Sequence, residues 1–306
     1  MHPAKSVILF TTLSGLGFGF MFFLGLGFGP DDALVGPIAC LVAMAAAGAG
    51  LIASTFHLGN PQRALKAFTQ VGTSWLSREG VVSVMLMAAF SLYAVLWFSS
   101  GERSGILGLI TAVLAALAVV CTAMIYAQLK TVPRWSNFFT VPMFLGFAGA
   151  GGVIATAIAT RAAGEETPIG LGVALLLASG AAYAYRRFSQ AVTLEGAGHT
   201  PETATQLGDL GRVRLLEKPH SEPNYLMKEM VFSVGRKHAE KLSMVFVIFG
   251  LFAPIFLYIF MREAPLGLAI PGLMLALALH FCGALASRWL FFAEAEHVVG
   301  LYYGRR

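Results

Sequence analysis

Eight long apolar runs restrict this chain more than any other feature, because roughly 20 apolar residues are what a helix needs to cross the hydrocarbon of a bilayer. They extend approximately from Ser6 to Phe28, Leu34 to Leu58, Val81 to Phe98, Gly105 to Ala127, Phe138 to Thr160, Pro168 to Tyr185, Leu242 to Met261 and Leu268 to Leu290. Backbone in lipid must satisfy its hydrogen bonds within the segment, so such runs fold as helices. Composition agrees: 57% of residues are hydrophobic and 12% charged, against about 25% charged in soluble domains. The expected fold is all-α: a polytopic membrane protein, a bundle of eight transmembrane helices in one unit over residues 1–306, with short loops and one longer loop at about 186–241. The first run is too long for a signal-peptide core and lacks a small-residue cleavage pattern, so it is expected to stay in the protein. A twin-arginine export motif is absent.

The charges sort by side. Lys5, then Arg63, Lys66 and Arg78, then Lys130 and Arg134 fall in one set of alternate loops; Asp31 with Asp32, Glu102 with Arg103, Arg161 with Glu165 and Glu166, and Arg262 with Glu263 fall in the other. The positive-inside rule places both termini and the basic set in the cytoplasm. The formal charge of +5 therefore reports orientation in the membrane and not nucleic-acid binding. Within the long loop, Leu226, Met230, Val231 and Val234 recur at helical spacing between Tyr225 and Lys241. That pattern suits a helix lying on lipid or one docking a partner.

Redox cofactors within the chain find little support. Cys40, Cys121 and Cys282 fall in separate spans, so no iron–sulfur ligand motif exists. Haem held by two histidines needs two at one depth, and His280 alone lies near a span's middle. P-loop, G-x-S-x-G, H-E-x-x-H and dinucleotide fingerprints are absent. Spacings such as Gly15 to Gly19 and Gly25 to Gly29 indicate close helix packing.

The most polar boundary follows the second span: Ser54-Thr55-Phe56-His57-Leu58-Gly59-Asn60-Pro61-Gln62-Arg63, then Thr73-Ser74-Trp75-Leu76-Ser77-Arg78-Glu79-Gly80. Asn60 before Pro61 reads as a helix cap and first position, starting a short interfacial helix to about Val71 with Leu65 and Phe68 on one face. Glu79 opens the third span, where a carboxylate suits the positive end of a helix dipole or an ion pair with Arg78. Because the segment leaves and re-enters the same membrane face, His57, Arg63 and Glu79 can also converge. Such a cluster suits a quinone, which needs hydrogen-bond partners at its two oxygens and a group that exchanges protons. Ser54, Gln62, Trp75 and Arg78 are the supporting candidates, and no metal site is expected.

Around Phe56-His57-Leu58-Gly59 with Arg63, and Thr73-Ser74-Trp75-Leu76-Ser77-Arg78-Glu79, the chain resembles the anchor subunits of DMSO reductase-type molybdoenzymes. His2-Pro3-Ala4 with Thr11-Thr12-Leu13-Ser14-Gly15, and Met124-Ile125-Tyr126-Ala127 with Pro133-Arg134-Trp135, carry the resemblance further. It implies an eight-helix anchor in a bacterial inner membrane that exchanges electrons between the quinone pool and an iron–sulfur subunit. That subunit in turn wires a catalytic subunit holding molybdenum-bis(pyranopterin guanine dinucleotide). The family's quinol-site histidine, arginine and glutamate fall on His57, Arg63 and Glu79. DMSO reductases hold their soluble subunits outside, whereas the similar sulfite-oxidising complex works in the cytoplasm. Since the charge pattern puts the corner inside, the expectation is a cytoplasmic sulfite dehydrogenase that docks both partners there, with a menaquinol-oxidising DMSO reductase as the alternative; ubiquinone and menaquinone both remain open.

Two further readings stay in play, a structural anchor whose quinone binds elsewhere and a secondary transporter. Transporters carry mid-membrane charges and paired broken helices, whereas here the span interiors hold almost no Asp, Glu, Lys or Arg and no internal repeat is seen. His280 reads as a packed histidine or a proton relay; Arg288, Glu294, Glu296 and His297 are expected to carry the last helix into the cytoplasm. Trp75, Trp97, Trp135 and Trp289 sit near span ends as an aromatic belt, and Pro142 and Pro254 are candidate kinks.

Overall fold

The computed structural model describes residues 4–56, 60–167, 169–189, 193–217, 239–261 and 263–303. Its helices are α1 (Lys5–Gly25), α2 (Val35–Thr55), α3 (Trp75–Ser100), α4 (Gly105–Ala127), α5 (Thr140–Ala162), α6 (Ile169–Phe188), the short α7 (Pro201–Thr205), α8 (Ala239–Phe260) and α9 (Leu266–Ala293). All the long ones except α6 meet the length and composition of a membrane span, which gives seven among the described residues. Where the sixth span is expected the chain forms helix α6, whose apolar content is lowered by Arg186 and Arg187 in its last turn.

Lipid tails are as apolar as leucine, so helices in a membrane associate through close contact of small residues and through hydrogen bonds. α1 is built for this. A methyl group on Gly17 would collide with the Ala47 backbone of α2, and one on Gly152 of α5 would meet Gly19 and come within 2.7 Å of Phe20 N. α1 and α5 are accordingly the most enclosed spans, with 67% and 72% of their apolar windows buried, while α2 and α3 turn Leu41, Ile52, Val84 and Val95 outward.

Local signals place the turns. Ser74 caps α3 by accepting from Ser77 N at 3.4 Å, and Gly101 ends that helix at φ 76°. Asp32 accepts from Val35 N at 2.7 Å and Leu34 N at 2.8 Å, and these two bonds hold its carboxyl below the usual range. Arg103 then fastens the far end: it donates to Gly27 O at 2.7 Å and Gly29 O at 2.6 Å, pairs with Asp31 at 2.7 Å and lies over the Trp97 ring.

At the end carrying the start of α1, an aromatic core joins Tyr126, Trp135, Phe144, Phe291 and Phe292. Trp135 stacks on Phe291 with 5.5 Å between centroids and donates to its carbonyl at 2.8 Å. Trp97 and Trp135 are therefore core residues and not part of an interfacial belt. Pro142 is the third residue of α5, where its missing N–H breaks no helical hydrogen bond.

Pro254 acts differently. Having no N–H for the Gly250 carbonyl four residues back, it follows a π-helical turn over Phe246–Phe252, in which Ala253 N reaches back five residues to Ile248 O. The freed Gly250 carbonyl receives His280 Nδ1 at 3.0 Å, and Nε2 faces Phe147 O at 3.3 Å. His280 is 3% exposed, the packed histidine of the two sequence readings. The end of α9 is clamped by Glu294, which pairs with Arg187 of α6 and with Arg134 at 3.3 Å. Val298 N donates to Thr131 O at 3.0 Å, and Tyr302 donates to Ala204 O in the long loop. Of the amphipathic stretch from Tyr225 to Lys241, only the residues from Ala239 are described, and they begin α8.

Candidate functional site

The polar boundary forms a folded corner between α2 and α3. Pro61–Phe68 is a 3₁₀-helix with proline at its start, shorter than the helix expected to Val71, and Asn60 makes no side-chain cap. Two features favour the tighter form: Thr69 Oγ1 and N both bond Lys66 O, at 2.8 and 3.1 Å, and the segment folds back so that a methyl on Gly80 would lie 3.2 Å from the Phe68 ring. Ser77 Oγ accepts from Gln70 N at 3.1 Å and closes the corner.

The predicted site residues are described only in part. His57, Leu58 and Gly59 lie outside the described residues, as does the side chain of Arg63. Ser54 donates to Leu51 O at 2.6 Å in its own helix, and Gln62 is exposed. Arg78 does not pair with Glu79: its Nε donates to Val71 O at 2.8 Å, its Nη2 to Gly72 O at 2.7 Å, and its guanidinium lies over the Trp75 ring. Arg78 and Trp75 thus hold the loop in shape.

Glu79 turns the other way. It is the fifth residue of α3 and 4% exposed, so it neither caps the helix nor faces the loop. Its carboxyl meets the hydroxyl of Thr122 on α4, which also lies 3.0 Å from Ala118 O. Thr122 has one proton and two acceptors when Glu79 is ionised. When Glu79 is protonated, it donates to Thr122 while Thr122 donates to Ala118, and every group is satisfied. The pair is thus a carboxyl whose hydrogen bonds rearrange with its protonation, which is what a proton-exchanging group requires.

Sequence reading missed two residues here. Thr122 lies in an unbroken apolar run, and only the side-by-side packing of α3 and α4 reveals it. Arg288, expected to extend into the cytoplasm, is 3% exposed inside α9, with its guanidinium carbon 3.4 Å from the Phe144 ring centroid. The cation has moved inward because an aromatic face can hold it there. Cys40 and Cys121 are buried free thiols and Cys282 an exposed one. Among the described residues no three His, Cys, Asp or Glu side chains converge as a metal set.

Comparison with known proteins accounts for this architecture. A sulfite dehydrogenase subunit of Allochromatium vinosum is 31% identical over 99% of both proteins. The anaerobic dimethyl sulfoxide reductase polypeptide YnfH of Escherichia coli is 32% identical over 40% of this chain and 45% of its own length. A second anaerobic dimethyl sulfoxide reductase polypeptide of the same organism is 32% identical over 36% and 41%. The family model described as DMSO reductase anchor subunit (DmsC) matches residues 1–304. With a bundle of apolar helices and a match along nearly its whole length, the chain belongs to the DMSO reductase anchor subunit family.

Proposed function

We propose that this anchor subunit is quinone-reactive and passes electrons from an iron–sulfur subunit docked on the cytoplasmic side into the quinone pool, in a complex that oxidises sulfite to sulfate. His57, Arg63 and Glu79 are the residues assigned to the head group: His57 and Arg63 to its oxygens, Glu79 to proton exchange. The observation that carries this reading is the buried Glu79 carboxyl with its switchable partner Thr122, behind the corner where α2 and α3 meet. A quinone takes up or gives off protons as its oxygens are reduced or oxidised, and a carboxyl whose neighbouring hydroxyl can accept from its acid form and donate to its anion fits that need. In favour of sulfite stands the end-to-end match to a sulfite dehydrogenase subunit. The partial matches to anaerobic dimethyl sulfoxide reductase polypeptides support a second reading, in which electrons flow from menaquinol to an outward-facing reductase.

The test is turnover with decylubiquinone in membranes carrying the whole complex. Glu79→Gln and His57→Phe are each expected to slow it on the order of 10²-fold, with dye-linked turnover of the soluble subunits as the assembly control. Wild-type rates in both variants would refute the assignment. Reporter fusions after α2 decide the side: a periplasmic signal would overturn the cytoplasmic docking and favour the reductase reading.

A further inference from the structure

Glu79 has a connection into the bundle that the boundary corner does not explain. Its partner Thr122 also lines a partly open cavity of about 20 Å³ between α1, α4, α5 and α9, room for about one water molecule. The polar lining is Thr11, Thr12, Ser14, Thr122, His280 and Arg288. The three hydroxyls of α1 each donate to a carbonyl of their own helix, at 3.0 Å to Val7 O for Thr11, at 2.8 Å to Ile8 O for Thr12 and at 2.6 Å to Phe10 O for Ser14. Their oxygens are left with lone pairs, as acceptors. Opposite in kind is Arg288, buried, with Nη1 lacking any hydrogen-bond partner among the described residues.

An occupant of this cavity has to accept from the guanidinium and donate to hydroxyl oxygens. Water does both, whereas a halide or a carboxylate only accepts. Both ring nitrogens of His280 are turned to backbone carbonyls, Gly250 O at 3.0 Å and Phe147 O at 3.3 Å, so the ring offers the cavity neither a donor nor an acceptor. A carboxyl that must ionise at this depth needs a compensating cation, because an uncompensated buried charge is strongly unfavourable.

We propose that the cavity holds a bound water through which Arg288, by way of Thr122, compensates the charge of Glu79 each time that carboxyl releases its proton. This rests on the reading of Glu79 as the proton-exchanging group. Arg288 and Thr122 are positioning residues in it. When Glu79 ionises, Thr122 turns its hydroxyl proton from Ala118 O to the carboxylate, and the water, held by Arg288 Nη1, donates to the hydroxyl oxygen that faces it. Only hydrogen bonds are exchanged within the cavity; the proton itself is exchanged between Glu79 and the quinone and does not cross the cavity.

The test combines decylubiquinone turnover of the complex with redox-induced infrared difference spectra, in which the Glu79 carboxyl band is identified by its loss in Glu79→Gln. Thr122→Val and Arg288→Met are each expected to slow turnover roughly tenfold or more, the worth of a hydrogen bond to a charged group. Arg288→Met also increases the protonated-carboxyl band at fixed pH, Thr122→Val shifts it, and Arg288→Lys and Thr122→Ser restore both readouts. A water O–H band that moves in heavy-oxygen water and vanishes in Thr122→Val completes the expected result. If Glu79→Gln slows turnover while Arg288→Met and Thr122→Val leave rate and band unchanged, the water-linked pair is wrong and the proposed function stands. If Glu79→Gln is itself without effect, both fall. Should Arg288→Met fail to assemble, Thr122→Val, which replaces one hydroxyl by a methyl, decides alone.

Discussion

Gly152→Ala should weaken the bundle, and Gly48→Ala should not, although both put a methyl group on a helix. At Gly152 the new carbon would sit 2.7 Å from Phe20 N and closer still to the Gly19 carbonyl, all backbone atoms that cannot swing aside. Carbon atoms rest at about 3.5–4.0 Å, so α1 and α5 must part by roughly 1 Å, and each atom pair across them then forfeits a quarter to half of its ~0.1–0.2 kcal/mol. Over the ~40–60 pairs that even one leucine makes, this is about 1–6 kcal/mol, and measured overpacking costs run at about 1–3 kcal/mol. Alanine returns up to ~1 kcal/mol of helix propensity, leaving a net loss near 2 kcal/mol. At about 2–4 °C per kcal/mol, the melting temperature of the detergent-purified protein should fall by roughly 4–8 °C. A methyl on Gly48 meets nothing within 4 Å, so that variant should melt at or slightly above the wild-type temperature. Equal melting of both variants would refute the close α1–α5 contact.

Glu294→Gln should lower stability by about 2–3 kcal/mol, the cost of breaking a mostly buried ion pair discounted for partial exposure, and the same melting assay checks it. Trp135→Phe keeps the ring stack on Phe291 but loses its hydrogen bond at 2.8 Å, for about 1 kcal/mol; a loss above ~3 kcal/mol would show that packing dominates there. A membrane-permeant maleimide should label Cys282 and spare Cys40 and Cys121 in the folded protein, and labelling of Cys40 before unfolding would contradict its burial.

Much of the bundle can be read from the sequence because lipid makes apolar length decisive. The ends of α4 and α5 fall within two residues of the runs read at Gly105 to Ala127 and Phe138 to Thr160. What fails is anything set by neighbours distant in sequence. Glu79 is legible as a carboxylate at a boundary, but which way it faces depends on Thr122, 43 residues away. Arg288 looks like the start of a cytoplasmic tail, since charges cluster just beyond it; Phe144 on another helix reverses that. Asn60 illustrates the limit of a local rule, because Asn before Pro predicts an α-helix cap and the backbone chose a 3₁₀ segment packed on Gly80. The docking of the long loop against the last residues, through Tyr302 and Ala204, has no local signal at all.

The widened turn before Pro254 adds one residue to the helical ladder, which rotates everything beyond it by about 100° relative to a regular α-helix. Phe246 and Tyr258 therefore both face the interior, joined by the buried Gly250 and Pro254 at a four-residue spacing that a regular α-helix would carry out of phase over this length. Homologues that lack this extra residue should show a one-position gap between the two, and those that also lack the proline should keep the equivalent of the Gly250 carbonyl within its own helix. In such proteins the position of His280 would be free to hold an apolar side chain, so the gap and the histidine are expected to be inherited or lost together.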